Sequence, residues 1–453
     1  MLKLGAEERD ALEYLCGEYK KHNKIDAEDW SKYDVKRGLR NSNGTGVLVG
    51  LTSICDVVGY EMENGERRAC DGKLIYRGID VKDIIEGGLR DGRYLFEEVS
   101  WLLLFGRLPD AMGLEQMKNL MSRFRELPEG FAEDMIMKAP SRNIMNKMAR
   151  SVLALYSYDE LAEDQSFENT MLQALMLISC LPTIMVYAYQ VKRRTYDKKS
   201  MYIHHSKREL STAQNILRTN RSNKRFEDAE ARLLDLCLVL HADHGGGNNS
   251  AFTTRVLTSS ATDTYSAIAA AIGSLKGPRH GGANIKVMEM LEDIKAHIKD
   301  WRDDEEIRAY LEKILAGEAG DGKGLIYGMG HPVYTKSDPR ELILKESARS
   351  LALEHGLEAD YNLLCAVERL APEVLKEQRG VQFVCANVDL FSGLVFKTME
   401  IPLDLYTPMF AVSRIAGWCA HLVEERLTGG RIIRPAYKYV GAQQRGYIPL
   451  EER

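Results

Sequence analysis

The sequence predicts an almost all-α protein, and two patterns carry that reading. Apolar residues recur at three- and four-residue spacing over most of the chain after Phe96, and strand-like signals are confined to one short N-terminal region. Hydrophobic residues make up 45% and charged residues 28% of the 453 positions, a balance that supports a large folded core.

Taken in order, residues 1–45 are rich in charge and read as a helical extension. Residues 46–76 hold Val47, Val49, Val57, Val58 and Ile75 among glycines and asparagines, the pattern of short strands. From 171 to 189 there is no charge, and Lys192, Arg193 and Arg194 follow. That length suits a membrane span as well as a helix buried on all sides. Gln173, Ser179, Pro182 and Thr183 inside it, and the lack of a second such span, favour the buried helix. Residues 190–225 are the most basic stretch, read as a solvated face or as a surface that draws in phosphate. Residues 264–276 are crowded with Ala267, Ala269, Ala270, Ala271 and Gly273. Such small side chains suit a packed centre or a subunit interface, and Gly277-Pro278 stops the helix. Ile285, Met288, Leu291, Ile294 and Ile298 fall on one helical face. Leu405, Met409, Val412, Ala416, Cys419 and Val423 do the same near the C-terminus.

The net charge of −5 (61 basic against 66 acidic side chains) gives no reason to expect nucleic acid or an anionic membrane as partner. The eight cysteines form no C-x-x-C pair and mostly sit in apolar runs. With an N-terminus unlike a secretory or transit signal, they point to reduced thiols in a cytoplasmic protein.

Four polar segments interrupt the helical pattern: HADHGGGN at 241–248, KGPRHGGAN at 276–284, GMGHPVYTKSDPR at 328–340 and NVDLFSG at 387–393. Each sets a histidine, aspartate or arginine beside glycines, which let a backbone turn tightly and approach a ligand. Singly, each has an ordinary reading. Asp389 could cap the helix that follows. His280 could be a loop histidine, and Arg340 could close a turn. His241 and His244 could bind a metal, but a metal needs more than two ligands and no Cys pair is nearby, so no metal is expected.

With FAVSR at 410–414 and IRP at 433–435, the four segments form six ordered motifs that resemble those of the citrate synthase family, over roughly residues 45–440. The resemblance implies condensation of acetyl-CoA with oxaloacetate and water to citrate and CoA, without a cofactor, by an acyltransferase of the tricarboxylic acid cycle. It implies His280, His331 and Asp389 as catalytic groups. His244, Arg340, Arg414 and Arg434 would bind oxaloacetate, with Arg434 lent by the partner in a homodimer. Lys336 is the candidate for a CoA phosphate. A large helical domain (1–279 with 386–453) and a smaller mobile one (280–385) would close over the substrates. A 2-methylcitrate synthase using propionyl-CoA is the alternative within the family, and a non-catalytic scaffold of the same fold the alternative outside it.

The implied roles suit the residues. Asp389 can remove a thioester α-proton while a neutral His280 stabilises the enolate oxygen, and a helix beginning near Gly281 would favour that neutral form. His331 can polarise a ketone, and arginines grip carboxylates bidentately. The chain departs from the family pattern at Pro332, Arg279 and the glycine run 245–247, beside the catalytic groups rather than on them.

Overall fold

The structure, a computed structural model, describes residues 4–63, 66–441 and 444–453. Its internal packing defines two units: Met1–Val49 with Ile433–Arg453, and Gly50–Ile432. In the first, helices Ala6–His22 and Ala27–Lys32 bury no residue, as expected of a charged extension. Here the Arg37 guanidinium covers the Trp30 ring at 4.7 Å and Lys438 covers Tyr33 at 5.4 Å. Such contacts supply the order that a core does not.

The second unit opens with a small antiparallel sheet: β1 (Cys55–Glu63), β2 (Glu66–Tyr76) and β3 (Ile79–Asp80), in that order. Cys55 pairs with Tyr76 and Val58 with Lys73, and the register slips between Val58 and Tyr60. The expected strand residues Val47 and Val49 lie outside the sheet. Leu48 and Leu51 beside them are largely exposed. Residues 64 and 65, within the expected strand region, lie outside the described residues.

After the sheet, the named elements of the described residues are helices. The helix Phe96–Phe105 starts where the apolar spacing changes, because the buried Asp235 carboxyl oxygens accept the backbone N–H groups of Leu95 (2.6 Å) and Phe96 (3.2 Å). The uncharged stretch forms the middle of the 29-residue helix Phe167–Thr195, long and apolar enough to cross a membrane, with 78% of its apolar window buried inside the protein. Its polar residues have partners there. Gln173 donates to Asp159 and accepts from Thr264, and Thr183 donates to the Arg125 carbonyl. Hydrocarbon would offer neither.

The small-residue helix Thr264–Leu275 packs against Asn249–Thr258 and Ile144–Leu155 with Ala267 and Ala271 buried. The helix Ala283–His297 buries Met288, Leu291 and Ile294, while Ile298 is its C-cap. The C-terminal stripe proves too narrow a reading. The helix Tyr406–Leu427 is buried on every face as far as Val423 except at Phe410, because helices 96–105, 167–195, 228–241 and 249–258 surround it.

Candidate active site

Two loops meet through backbone pairing. Gly330 N–H donates to the Cys385 carbonyl (2.8 Å), Asn387 N–H to the Gly328 carbonyl (2.8 Å), and the Asn387 amide to the Gly330 carbonyl (2.8 Å). Gly328 and Gly330 both take positive φ, and a Cβ on Gly328 would overlap Leu390. This pairing brings the loop that carries His331 to the start of the helix Asp389–Thr398. Asp389 is that helix's first residue and not its cap, since Val388 holds the cap position and Asn387 Oδ1 accepts the Asp389 N–H (3.0 Å). The carboxylate is therefore left for other work.

Asp338 is the joint of this region. Fully buried, it caps the helix Pro339–Glu354 and accepts from Arg340 Nε (3.0 Å) and Nη2 (2.7 Å), and it also accepts the Val388 N–H (3.2 Å). One carboxylate thus fixes the Arg340 guanidinium and the backbone beside Asp389.

The His331 ring stacks on Tyr334 with centroids 4.6 Å apart, and the His244 ring meets His331 edge-on at 5.0 Å and Tyr334 at 5.5 Å. His331 Nδ1 accepts the backbone N–H groups of Val333 (3.1 Å) and Tyr334 (3.0 Å), so in the neutral ring the proton sits on Nε2. The sheet seats this loop. Thr335 donates to the Gly59 carbonyl (2.7 Å), and Gly72 N–H donates to Ser337 (3.1 Å). Any Cβ on Gly59 or Gly72 would overlap residues 333–339, which accounts for glycine at the β1 irregularity.

His244 is buried and its Nε2 has no hydrogen-bond partner. Burial first, then the charges of Arg340 and Arg414, holds it well below the usual histidine range, so it is neutral. Arg414 has no exposure at all. Its Nε donates to the His241 carbonyl (2.6 Å), while Nη1 and Nη2 have no partner.

His280 Nε2 lies 3.1 Å from Ser250 Oγ, which also accepts from Trp418 Nε1 (3.0 Å). Its pKa is pushed down to about 4 by burial and then by the Arg414 charge. The neutral form is the one expected, but the cause differs: His280 sits in a turn ahead of a helix that begins only at Ala283. Asp389 is pushed up to about 6 by burial, opposed by Arg340 and Arg414.

The charge of Arg414 therefore reaches His244, His280 and Asp389, and that of Arg340 reaches His244 and Asp389. His331, packed against His244, joins these five side chains. Arg434 is exposed and belongs to the other unit, Met1–Val49 with Ile433–Arg453. Lys336 is exposed on the 331–340 loop, where its charge reaches Cys70. Tyr334, Asp338, Asn387 and Ser250 were not singled out in the sequence. The N-cap pattern of Asp338 ahead of Pro339 was the one available signal for them. Among the described residues, no group of three or more His, Cys, Asp or Glu side chains is arranged to hold a metal ion.

The fold and the site define a largely helical protein whose interior holds two buried arginines beside buried imidazoles and an elevated carboxyl group. The profile of the citrate synthase C-terminal domain matches residues 41–436. A citrate synthase of Acidithiobacillus ferridurans is 36% identical over 389 residues, covering 84% of this chain and 93% of that protein. A 2-methylcitrate synthase of Shewanella oneidensis is 34% identical over 391 residues, covering 84% and 92%. A solved ternary complex of carboxymethyl coenzyme A and oxaloacetate with citrate synthase from Thermoplasma acidophilum superposes with a TM-score of 0.76 at 25% identity, covering 92% of this chain and 99% of that one. The chain belongs to the citrate synthase family.

Proposed function

We propose that this protein condenses an acyl-CoA thioester with oxaloacetate and water to give citrate or a homologue and free CoA. The observation that carries the reading is the fully buried Arg414, whose two terminal nitrogens are unpartnered beside the unpartnered Nε2 of His244. A guanidinium stripped of water and left open is strongly disfavoured unless an anion arrives, and a carboxylate of oxaloacetate fits its fork. Arg340, set by Asp338, and Arg434, lent by a partner subunit, take the remaining negative charge.

His331 presents Nε2–H to the ketone and stabilises the alkoxide that forms as the new carbon–carbon bond closes. Asp389 removes the thioester α-proton. Its elevated pKa makes it a stronger base than an ordinary aspartate while leaving it ionised at neutral pH. His280 stabilises the enolate oxygen. Water then hydrolyses the citryl thioester. Lys336 is the contact we assign to a CoA phosphate, and no cofactor is required.

Residues 280–385 would close over the substrates and exclude water before the enolate forms. Small-angle scattering that shows no compaction on adding oxaloacetate would count against this. A homodimer fits the exposed Leu153, Leu161, Phe167 and Leu172, and sedimentation tests it. Eight cysteines, all as free thiols, support a cytoplasmic setting.

Propionyl-CoA is the second reading for the acyl donor, favoured by the similarity to a 2-methylcitrate synthase. One methylene changes discrimination by only about 1–3 kcal/mol, so direct comparison is needed. Free-thiol release from acetyl-CoA and propionyl-CoA, each with oxaloacetate, tests the proposal. Release that requires oxaloacetate is expected, and kcat/KM ranks the two donors. No release from either would overturn the reading.

A further inference from the structure

Behind Arg414 lies a chain of charged groups that the catalytic scheme does not use. Asp243 sits between His241 and His244 and is fully buried. Its carboxylate accepts from His421 Nε2 (3.2 Å) and from the Gly245 N–H (3.0 Å). His421 is also fully buried, and its Nδ1 faces Arg255 Nε (3.2 Å) and Nη2 (2.8 Å). Arg255 in turn is held by Glu425 (2.9 Å) and by Glu424, which accepts the Ser53 N–H and hydroxyl (both 2.8 Å).

Proton bookkeeping fixes the roles. Arginine nitrogens only donate, so His421 Nδ1 must accept, and the single ring proton of a neutral His421 then sits on Nε2 and points at Asp243. Asp243 is consequently held by its neighbours on the 241–245 turn and the helix Tyr406–Leu427. It makes no hydrogen bond to Arg414, whose terminal nitrogens stay open. Yet the two charges feel each other: Arg414 stabilises the Asp243 carboxylate, and Asp243 stabilises the Arg414 guanidinium. Gly417 makes the arrangement possible. Its N–H donates to the Ala242 carbonyl (3.1 Å), and any Cβ there would overlap the Asp243 carboxylate.

We propose that His421, set by Arg255, is a positioning residue that holds the nearby Asp243 carboxylate off Arg414, so that Arg414 stays open for the substrate carboxylate. This rests on the oxaloacetate reading of Arg414. Without the His421 donor, Asp243 is released to pair with Arg414 and compete with substrate.

The test is oxaloacetate binding to the full-length protein by isothermal titration, with thiol release measured alongside and folding checked by near-UV circular dichroism. His421→Leu should weaken oxaloacetate at least about tenfold, the size of a typical coupling between charged sites, with kcat at saturating oxaloacetate within about threefold of wild type. His421→Gln, which keeps a donor toward Asp243 and an acceptor toward Arg255, should bind within about threefold of wild type, a smaller change than any such coupling. Adding Asp243→Asn to His421→Leu should restore most of the lost affinity, because an amide cannot neutralise Arg414. Should His421→Leu not fold, His421→Asn, too short to reach Asp243, replaces it in both the single and the double variant.

Wild-type affinity in the folded His421 variant, or no recovery in the double variant, overturns the inference. A wild-type protein that neither binds oxaloacetate nor releases thiol overturns the functional reading instead.

Discussion

Replacing Arg414 by methionine should separate stability from ligand binding. The substitution keeps an unbranched stem and removes two terminal nitrogens that are buried without partners. Leaving such a group unpaired costs about 1–3 kcal/mol each, so their removal relieves about 2–6 kcal/mol. Against this, the variant loses the Nε bond to the His241 carbonyl and the stacking on Phe410 at 4.7 Å, together worth about 2–5 kcal/mol. The unliganded variant should therefore unfold at or above the wild-type temperature.

Oxaloacetate binding should behave in the opposite way. Two charge-assisted bonds at about 1.5–3 kcal/mol each put the loss at about 3–6 kcal/mol, or roughly 150- to 25,000-fold in affinity. Differential scanning calorimetry with and without oxaloacetate reads both effects. At 100 times its dissociation constant, a ligand stabilises the folded state by about 2.7 kcal/mol. For 453 residues the unfolding entropy near 60 °C is about 0.95 kcal/mol per kelvin, so wild type should gain about 3 °C. The variant should gain nothing at the same concentration. A variant that oxaloacetate protects as fully as wild type would refute the role assigned to Arg414.

Three further outcomes follow from the same geometry. The kcat/KM for the thioester should fall as pH drops through about 6, because Asp389 must be ionised to act as base and its pKa is raised to about that value; a profile flat down to pH 4.5 would contradict this. Asp235 has its pKa raised by burial to about 8 in the folded chain, against an ordinary 3.8. The folded state therefore holds the extra proton between those values, and this group's contribution is full below about pH 4 and lost as pH rises through about 8. Asp235→Asn should flatten the fall in denaturation midpoint over that window, and an unchanged slope would count against it. Gly72→Ala forces a methyl group onto Ser337 and Tyr334, and overpacking of this kind costs about 1–3 kcal/mol. Turnover should drop more than stability does, as seen by pairing thiol release with thermal unfolding, whereas full activity would dissociate the sheet from the seating of His331.

The helical character was legible because the apolar spacing is local information, and the burial of the long uncharged helix could be read from its own polar residues. Gln173 and Thr183 did turn out to have tertiary partners. The full burial of Tyr406–Leu427 was not legible, since a stripe of six residues says nothing of how many helices gather round it. At the site, His244, His331, Arg340, Asp389, His280 and Arg414 could be picked out because each stands beside glycines or in a recognisable motif. What holds them could not. Asp338 joins Arg340 to Val388 across 50 residues, Gly72 meets Ser337 across 265, and His421 reaches Asp243 across 178. Such pairings belong to the three-dimensional packing alone. The neutral state of His280 was expected from a helix end, but the burial and the Arg414 charge that produce it depend on a residue in another helix.

The claim at the centre is that Asp389 takes a proton from the thioester while oxaloacetate lies on Arg414 and His331. Release of label into water from a thioester tritiated at its α-carbon addresses that step itself, because each condensation expels one α-hydrogen. Wild type should show oxaloacetate-dependent α-C–H cleavage that Asp389→Asn lowers by orders of magnitude while still binding oxaloacetate. Undiminished α-proton loss in a folded Asp389→Asn protein would contradict the account.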